Sequence, residues 1–323
     1  MRTSSLSRAD RPSLRHQVLA AALPRVLGVR DLVDEPTERA WVLGKQAERG
    51  RALRTDAVPG FARRIRLEVE ELGAERGVPF PAYVLTPRRT LRSGEPRRTL
   101  LFVHGGSFVS PIDRWHVRFV VRLAERLGVR VVMPDYPLAP THTWRDSHEP
   151  LVRAAQDWAV RSPEGLLLLG DSAGGGVALS LALALRDRGG PQPERLVLSA
   201  PWADLTTSTP DTADYALRDT WLRLPKVHVY AEWWAGSPED LPRPEVSPAL
   251  ADVRGLPPAL MFAGTRDLLL PGCRLLADRA AAAGWDLTYL ERPDLIHNFP
   301  MMPFIPEAGR AFRRTVDFLG GRP

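Results

Sequence analysis

The feature that most constrains the fold is the regular alternation of short apolar segments with helical segments from residue 100 onward. Residues 100–103, 129–133 and 166–169 each fit a buried strand, and the stretches between them have helical spacing. Strands that alternate with helices favour a mostly parallel sheet covered by helices on both faces. The sequence therefore predicts an α/β fold over most of the chain.

The same pattern extends toward both ends of the chain. Helical spacing covers residues 14–27 and 37–53, and alternating apolar residues predict strands at 65–69 and 82–85. Further strands are predicted at 196–198, 259–262 and 287–290, with helices at 115–127, 148–160, 173–186, 274–283 and 306–319. We expect an N-terminal helical cap segment over residues 1–60 and a core over 61–323. An insertion at about 202–256, rich in Trp, Pro and Asp, is interpreted as the second part of the cap.

Composition narrows the classes of protein to consider. Hydrophobic residues make up 44% of the chain and charged residues 25%, as in globular proteins with a sizeable core. The single cysteine, Cys273, cannot form an intrachain disulfide. No apolar run approaches the roughly 20 residues that a membrane-spanning helix needs, and residues 18–23 are too short for a signal-peptide core. We therefore expect a cytoplasmic protein without a transmembrane segment.

Positive charge is concentrated at the N-terminus. The formal net charge is +6, and residues 1–66 carry 14 Lys/Arg against 7 Asp/Glu. A basic arm that touches an anionic partner is one interpretation, and a solvated helical segment is the other; the scattered arginines favour the second. The sequence has no nucleic-acid-binding motif, so we expect no nucleic-acid partner. The sequence does not decide whether the protein forms a homodimer, and a homodimer stays one expectation.

A candidate nucleophile follows the apolar strand at 166–169. Gly170-Asp171-Ser172-Ala173-Gly174 matches the pattern G-x-S-x-G, which marks a sharp turn from strand to helix. The glycines allow strand and helix to approach closely, and the serine hydroxyl then lies at a helix N-terminus, where backbone N–H groups favour a developing anion. An ordinary glycine-rich turn would share this short pattern, but the apolar strand and helix on either side favour a nucleophile at Ser172.

A second glycine-rich turn lies two strands earlier, at His104-Gly105-Gly106-Ser107. Acyl transfer needs at least two N–H donors where the carbonyl oxygen becomes negative, and glycines let a substrate approach the backbone closely. We predict an oxyanion hole built from the N–H groups of Gly105, Gly106 and Ala173, although a tight turn without a ligand would have the same sequence. His104 is expected to orient this loop through a hydrogen bond.

The chain order Ser, acid, His of such folds selects the remaining catalytic candidates. Only His228 and His297 follow Ser172, and His228 lies in the middle of a helix predicted at about 221–234 within the insertion. His297 precedes the final helix and is the predicted base. Asp267 follows the strand at 259–262 and is the predicted acid, whereas Asp294 shares the segment of His297 and is less able to orient its ring.

Together these residues resemble the hormone-sensitive-lipase-like esterases, family IV of the bacterial lipolytic enzymes. The resemblance covers roughly residues 65–320 and rests on His104-Gly105-Gly106, Asp135-Tyr136-Pro137-Leu138-Ala139-Pro140, Gly170-Asp171-Ser172-Ala173-Gly174-Gly175, Asp267 and His297. It implies a capped α/β-hydrolase fold and a serine carboxylesterase. Such an enzyme cleaves small-molecule esters of short to medium acyl chains through an acyl-enzyme, without a cofactor, and we expect no metal site.

Three positions depart from the family pattern. Ser107 replaces the usual third glycine, the D-Y-R-L-A-P-E motif becomes D-Y-P-L-A-P-T, and Leu269-Leu270-Pro271 stands where an acidic residue often follows the triad aspartate. None of these changes removes a catalytic group, so they bear on substrate range.

Aromatic residues of the cap supply candidates for the substrate pocket. These are Trp221, Tyr230, Trp233 and Trp234, together with Met301 near the C-terminus; packing within the cap and core is the alternative. The same triad would serve an amidase or a deacetylase that acts on a natural product. A ligand-binding protein on this fold is the third alternative, but it should have lost a triad residue.

Overall fold

The computed structural model describes residues 11–50 and 52–321, so the predictions for residues 1–10 lie outside the described residues. In that part of the chain the strands are β1 (Ile65–Leu72), β2 (Phe80–Pro87), β3 (Thr99–Val103), β4 (Arg130–Pro134), β5 (Leu166–Asp171), β6 (Arg195–Ser199), β7 (Ala259–Arg266) and β8 (Leu287–Ile296). They form one eight-stranded sheet in the order β1-β2-β4-β3-β5-β6-β7-β8. Only β2 pairs antiparallel with its neighbours, so the predicted mostly parallel sheet is confirmed.

Helices cover both faces of the sheet, as the sequence predicts. The helices are α1 (Leu14–Val26), α2 (Glu35–Arg49), α3 (Phe61–Arg64), α4 (Arg88–Leu91), α5 (Arg114–Leu127), α6 (Trp144–Val160), α7 (Ala173–Asp187), α8 (Thr212–Ala216), α9 (Leu224–Ala235), α10 (Leu270–Ala283) and α11 (Pro306–Leu319). Alternate side chains of β3 enter two apolar clusters, one with α6, α7 and α10 and the other with α1, α5 and α11. None of the described helices is both long and apolar enough to cross a membrane.

The insertion at about 202–256, which the sequence analysis interprets as part of a cap, lies between β6 and β7 and carries α8 and α9. Helix α2 contacts α9 through Glu38, whose buried carboxylate accepts a hydrogen bond from Tyr230 Oη and pairs with Lys226 Nζ at 3.1 Å. Helix α1 instead packs toward α11, where the Ser13 N–H donates to Glu307 Oε1 at 2.7 Å. The N-terminal segment therefore contacts both the cap insertion and the core.

Several elements are longer than predicted, among them α6 and β8. Helix α6 begins at Trp144 because the Asp146 carboxylate accepts the Thr143 N–H at 2.8 Å, which stabilises the first turn. Strand β8 runs on to Ile296, through Pro293 and an irregular register opposite Gly264. This extension is what brings the two loops at the edge of the sheet together.

Candidate active site

The turn from β5 to α7 has the conformation of a nucleophile elbow. Ser172 has φ 50° and ψ −123°, a strained combination for a side chain with a Cβ atom. A Cβ atom on Gly170 would lie 2.2 Å from Gly174 O, and one on Gly174 would lie 2.2 Å from Val103 O. Only glycine fits at either position, so the glycines of the motif are explained by the close approach of strand and helix.

Strand pairing places the predicted acid beside the predicted base. Arg266 of β7 pairs with Ile296 of β8, so the residues that follow, Asp267 and His297, leave the sheet side by side. Both lie at the carboxyl edge of the parallel strands, where β5 also delivers Ser172. The three residues thus converge from positions far apart in the chain.

The three side chains form one hydrogen-bonded chain. His297 Nε2 lies 3.0 Å from Ser172 Oγ, and His297 Nδ1 lies 2.9 Å from Asp267 Oδ2. A donor at Nδ1 leaves Nε2 free to accept the serine proton. The second oxygen of Asp267 accepts the Leu269 N–H at 2.8 Å, which fixes the carboxylate. All three side chains are buried.

The charges around His297 make its imidazole easier to protonate than a histidine in water. Burial lowers the pKa of His297, but the charge and hydrogen bond of Asp267 outweigh burial, and the net pKa is raised from its ordinary 6.5. Negative charge from Asp219 and Asp171 acts in the same direction. The surroundings therefore favour the positively charged form of the His297 imidazole.

One N–H group of the predicted oxyanion hole already has an acceptor within the protein. The Gly105 N–H donates to Asp171 Oδ1 at 3.0 Å, so it is not available to a substrate oxygen. Among the described residues, the N–H groups of Gly106, Ser107 and Ala173 have no acceptor. Gly106 and Ser107 have φ values of 120° and 55° and turn the loop back toward the elbow. The free donors are thus one residue further along the loop than predicted, because Asp171 binds the first glycine.

Asp171, which the sequence analysis treated only as part of the elbow motif, links several parts of the site. Besides Gly105 it accepts a hydrogen bond from Asn298 Nδ2 at 2.8 Å, next to the predicted base, and lies 3.5 Å from His116 Nε2. Burial lowers the pKa of His116, but the charges of Asp113 and Asp171 outweigh it and raise the pKa well above 6.5. The Nε2 atom of His116 therefore faces the buried Asp171, while its Nδ1 accepts the Asp113 N–H at 3.1 Å.

The side chain of His104 is held within the predicted oxyanion loop. Its Nδ1–H donates to Gly105 O at 2.8 Å, and the Tyr136 hydroxyl donates to His104 O at 2.9 Å. The Tyr136 ring stacks on the imidazole with centroids 4.4 Å apart. Burial and the positive charge of His116 lower the pKa of His104 to about 4, so its ring is neutral at physiological pH.

The five predicted pocket residues have different surroundings. Trp221 lies against the predicted base, with its ring centroid 5.3 Å from that of His297, and Trp234 stacks on Phe108 of the oxyanion loop at 4.4 Å. The polar atoms of Tyr230 and Trp233 bind α2 instead, at Glu38 and Glu35. Met301 is buried in the apolar cluster of α5 and α11. Through these contacts Trp221 adjoins the predicted base, and Trp234 adjoins the predicted oxyanion loop.

Comparison with known proteins gives a consistent picture. Residues 100–301 match the family described as alpha/beta hydrolase fold. An acetyl-hydrolase of Streptomyces hygroscopicus is 33% identical over 69% of this chain and 75% of its own length. An esterase of Acinetobacter venetianus is 27% identical over 68% and 73%. The crystal structure of an esterase from the bacterial hormone-sensitive lipase family superposes with a TM-score of 0.77 at 26% identity, covering 97% of this chain and 99% of that one.

Proposed function

Because the chain belongs to the α/β-hydrolase-fold family, with the hormone-sensitive-lipase-like esterases, we propose that Ser172, Asp267 and His297 are the catalytic triad of this ester hydrolase. One observation carries the assignment: the imidazole of His297 is hydrogen-bonded to Ser172 on one side, at 3.0 Å, and to Asp267 on the other, at 2.9 Å. A protein that only bound a ligand would not need this arrangement.

The reaction is a two-step acyl transfer. His297 Nε2 takes the proton of Ser172 as Oγ attacks the ester carbonyl, and the tetrahedral oxyanion accepts hydrogen bonds from the N–H groups of Gly106, Ser107 and Ala173. His297 then gives the proton to the leaving alcohol as the acyl-enzyme forms. A water molecule, deprotonated by the same imidazole, attacks the acyl-enzyme and releases the acid.

The N-terminal helices over residues 1–60 and the insertion at about 202–256 form a cap in this proposal. Two contacts support it among the described residues: Trp221 of the insertion lies against His297, and Glu38 of α2 binds Tyr230 of α9. Trp221 and Trp234 then line the entrance for a small-molecule ester with a short to medium acyl chain. A deacetylase of a natural product is the second candidate, because one relative is named acetyl-hydrolase.

Replacement of the nucleophile tests the triad. Ser172→Ala should lower the turnover of p-nitrophenyl acetate by about 10⁴-fold or more and abolish labelling by a fluorophosphonate. Ser180→Ala is the matched control, since Ser180 is a buried serine of the same helix whose hydroxyl binds only Val177 O among the described residues. Turnover of Ser172→Ala at the level of Ser180→Ala would contradict the assignment.

A paired substrate series separates the two candidates. Esters of p-nitrophenol from acetate to decanoate give the acyl preference, and the matching anilides report amide cleavage. An esterase for short to medium acyl chains should turn over the esters from acetate to hexanoate and leave the anilides intact. Activity confined to acetyl groups, on esters and amides alike, would favour the deacetylase.

A further inference from the structure

Asp219 lies in the cap insertion, between α8 and α9, and its side chain is buried. Its Oδ1 accepts hydrogen bonds from the N–H groups of Trp221 at 2.7 Å and Leu222 at 2.9 Å. Its Oδ2 faces the core and accepts the N–H of Leu268 at 2.8 Å. Because Leu268 directly follows Asp267, one carboxylate joins the turn of the cap to the loop of the proposed triad acid.

The carboxylate of Asp219 also fixes the position of Trp221, whose indole covers the imidazole of His297. By holding the N–H of Trp221, Asp219 fixes the backbone from which the indole extends. That indole meets the imidazole of His297 with centroids 5.3 Å apart and planes inclined by 71°. Both partners of the acid–base pair are therefore positioned through Asp219, one through its loop and the other through an aromatic contact.

A role restricted to capping a turn does not explain this placement. A turn cap needs only Oδ1, whereas Oδ2 reaches a residue 49 positions away in sequence. The site is also electrostatically costly: burial and the negative charge of Asp267 raise the pKa of Asp219 to about 6. The charge of His297 and the two amide donors act against that rise in pKa. The guanidinium of Arg223 donates to the backbone carbonyl of Asp219 and not to its carboxylate. Carboxylates perturbed in this way cluster at functional sites.

We infer that Asp219 is a positioning residue of the ester hydrolase, which couples the cap to the acid–base pair. It holds the loop of Asp267 and the indole of Trp221 in place, and its negative charge adds to that of Asp267 in stabilising the imidazolium of His297. This inference rests on the proposed triad. It predicts that any change that neutralises Asp219 alters both the rate and the pH dependence of hydrolysis.

The variant Asp219→Asn keeps the size of the side chain and removes its charge. We expect kcat for p-nitrophenyl acetate to fall about tenfold, the equivalent of one charge-assisted hydrogen bond. We also expect the acidic limb of kcat/KM to move to lower pH, because a lost negative charge lowers the pKa of His297. A merely structural role would lower activity at every pH and leave the limb in place, and that result would overturn the inference.

Asp204→Asn is the matched control. Asp204 is a buried aspartate of the same insertion, and its Oδ1 accepts the N–H of Thr206 at 2.9 Å. Its carboxylate also accepts the hydroxyl groups of Thr206 and Ser208, so among the described residues its hydrogen bonds stay within its own turn. The variant should therefore keep the acidic limb and the kcat of the wild type. If both variants behaved alike, the coupling assigned to Asp219 would be refuted.

A second variant keeps the test decisive if Asp219→Asn does not fold. Trp221→Leu retains the Asp219 carboxylate and the amides of the turn but uncovers the His297 imidazole. Because burial lowers the pKa of His297, the acidic limb of this variant should move to higher pH. Its kcat should also fall. An unchanged limb and kcat would overturn the inference. Fluorophosphonate labelling of the wild type distinguishes the two proposals: without labelling at Ser172 the proposed function itself fails.

Discussion

At the scale of single residues, Gly174 sets the geometry of the elbow. A Cβ atom there would lie 2.2 Å from Val103 O and 2.4 Å from His104 O, both backbone atoms of the oxyanion loop. Gly174→Ala must therefore push this loop away from Ser172. We expect the free energy of unfolding to fall by about 1–3 kcal/mol, measured in urea, together with a loss of kcat.

Gly44→Ala is the control for this substitution. Gly44 lies within helix α2, and a Cβ atom there would meet no other atom within 4 Å. Alanine should stabilise the helix by up to about 1 kcal/mol and leave kcat unchanged. Equal destabilisation by the two substitutions would show that packing at the elbow is looser than the distances indicate.

The pH dependence of hydrolysis follows from His297. The proposed base must be neutral to accept a proton, and its pKa is raised from the ordinary 6.5 by Asp267. Activity should therefore fall as the pH drops through a value above 6.5. Asp267→Asn removes the charge that raises this pKa, so the acidic limb should move to lower pH while kcat falls by about 10⁴-fold. A wild-type limb centred below pH 6 would contradict this reasoning.

The triad candidates were accessible from sequence, whereas the residues around them were not. Ser172 has a motif, and the chain order leaves few choices for the acid and the base. Asp171 and Asp219 have no such signal, because their roles depend on which backbone amides the fold brings to them. The same dependence explains the correction at Gly105: only the tertiary structure shows that Asp171 occupies its N–H.

At the scale of elements, strands and helices with strong periodicity were predicted well and their ends were not. The sequence Arg292-Pro293-Asp294 contains residues that disfavour strands, yet β8 continues to Ile296. Asp294 adopts φ 55°, which aspartate tolerates better than most residues, and its N–H binds Thr265 Oγ1 at 2.8 Å. Pairing with β7 therefore overrides local preference at the point that positions His297.

The contact between α2 and α9 depends on one buried carboxylate. Glu38 is 1% exposed and receives Tyr230 Oη, Lys226 Nζ at 3.1 Å and Arg30 Nη2 at 2.7 Å. Glu38→Ala leaves Lys226 without this carboxylate in a buried position, so we expect the free energy of unfolding to fall by about 3 kcal/mol. Urea unfolding measures the change.

Glu48→Ala provides the comparison for Glu38. Glu48 lies on the same helix and pairs with Lys45, but both side chains are exposed. Such surface pairs contribute about 0.2–1 kcal/mol at most, so this variant should unfold close to the wild type. Comparable losses from both glutamates would mean that α2 is not fixed to α9 through Glu38.

At the scale of the whole molecule, the first described helix contacts the loop that carries the proposed base. His16 of α1 is fully buried, and its Nε2 accepts the N–H of Ile296, the residue before His297, at 3.2 Å. Nearby, Ser13 binds Glu307 of α11. No sequence pattern indicated these contacts, because they join residues about 280 positions apart, and they show that the N-terminal segment also stabilises the catalytic edge of the sheet.

Removal of the acceptor at His16 tests this support. His16→Phe fills a similar volume but leaves the Ile296 N–H unsatisfied, which should lower the free energy of unfolding by about 1–3 kcal/mol and reduce kcat. His16→Gln can still accept a hydrogen bond and should recover part of both losses. Identical behaviour of the two variants would assign the effect to packing alone.

The same histidine links global stability to pH. Burial lowers the pKa of His16 from its ordinary 6.5, so the unfolded chain binds a proton that the folded chain resists. The stability that neutral His16 contributes is complete above pH 6.5 and is lost as the pH falls toward the lower pKa of the folded state. The wild type should therefore lose more stability between pH 7.5 and pH 5 than His16→Gln does, by urea unfolding at each pH. Since other buried histidines titrate in both proteins, the difference between them isolates His16, and a parallel loss in the two would place the acid sensitivity elsewhere in the molecule.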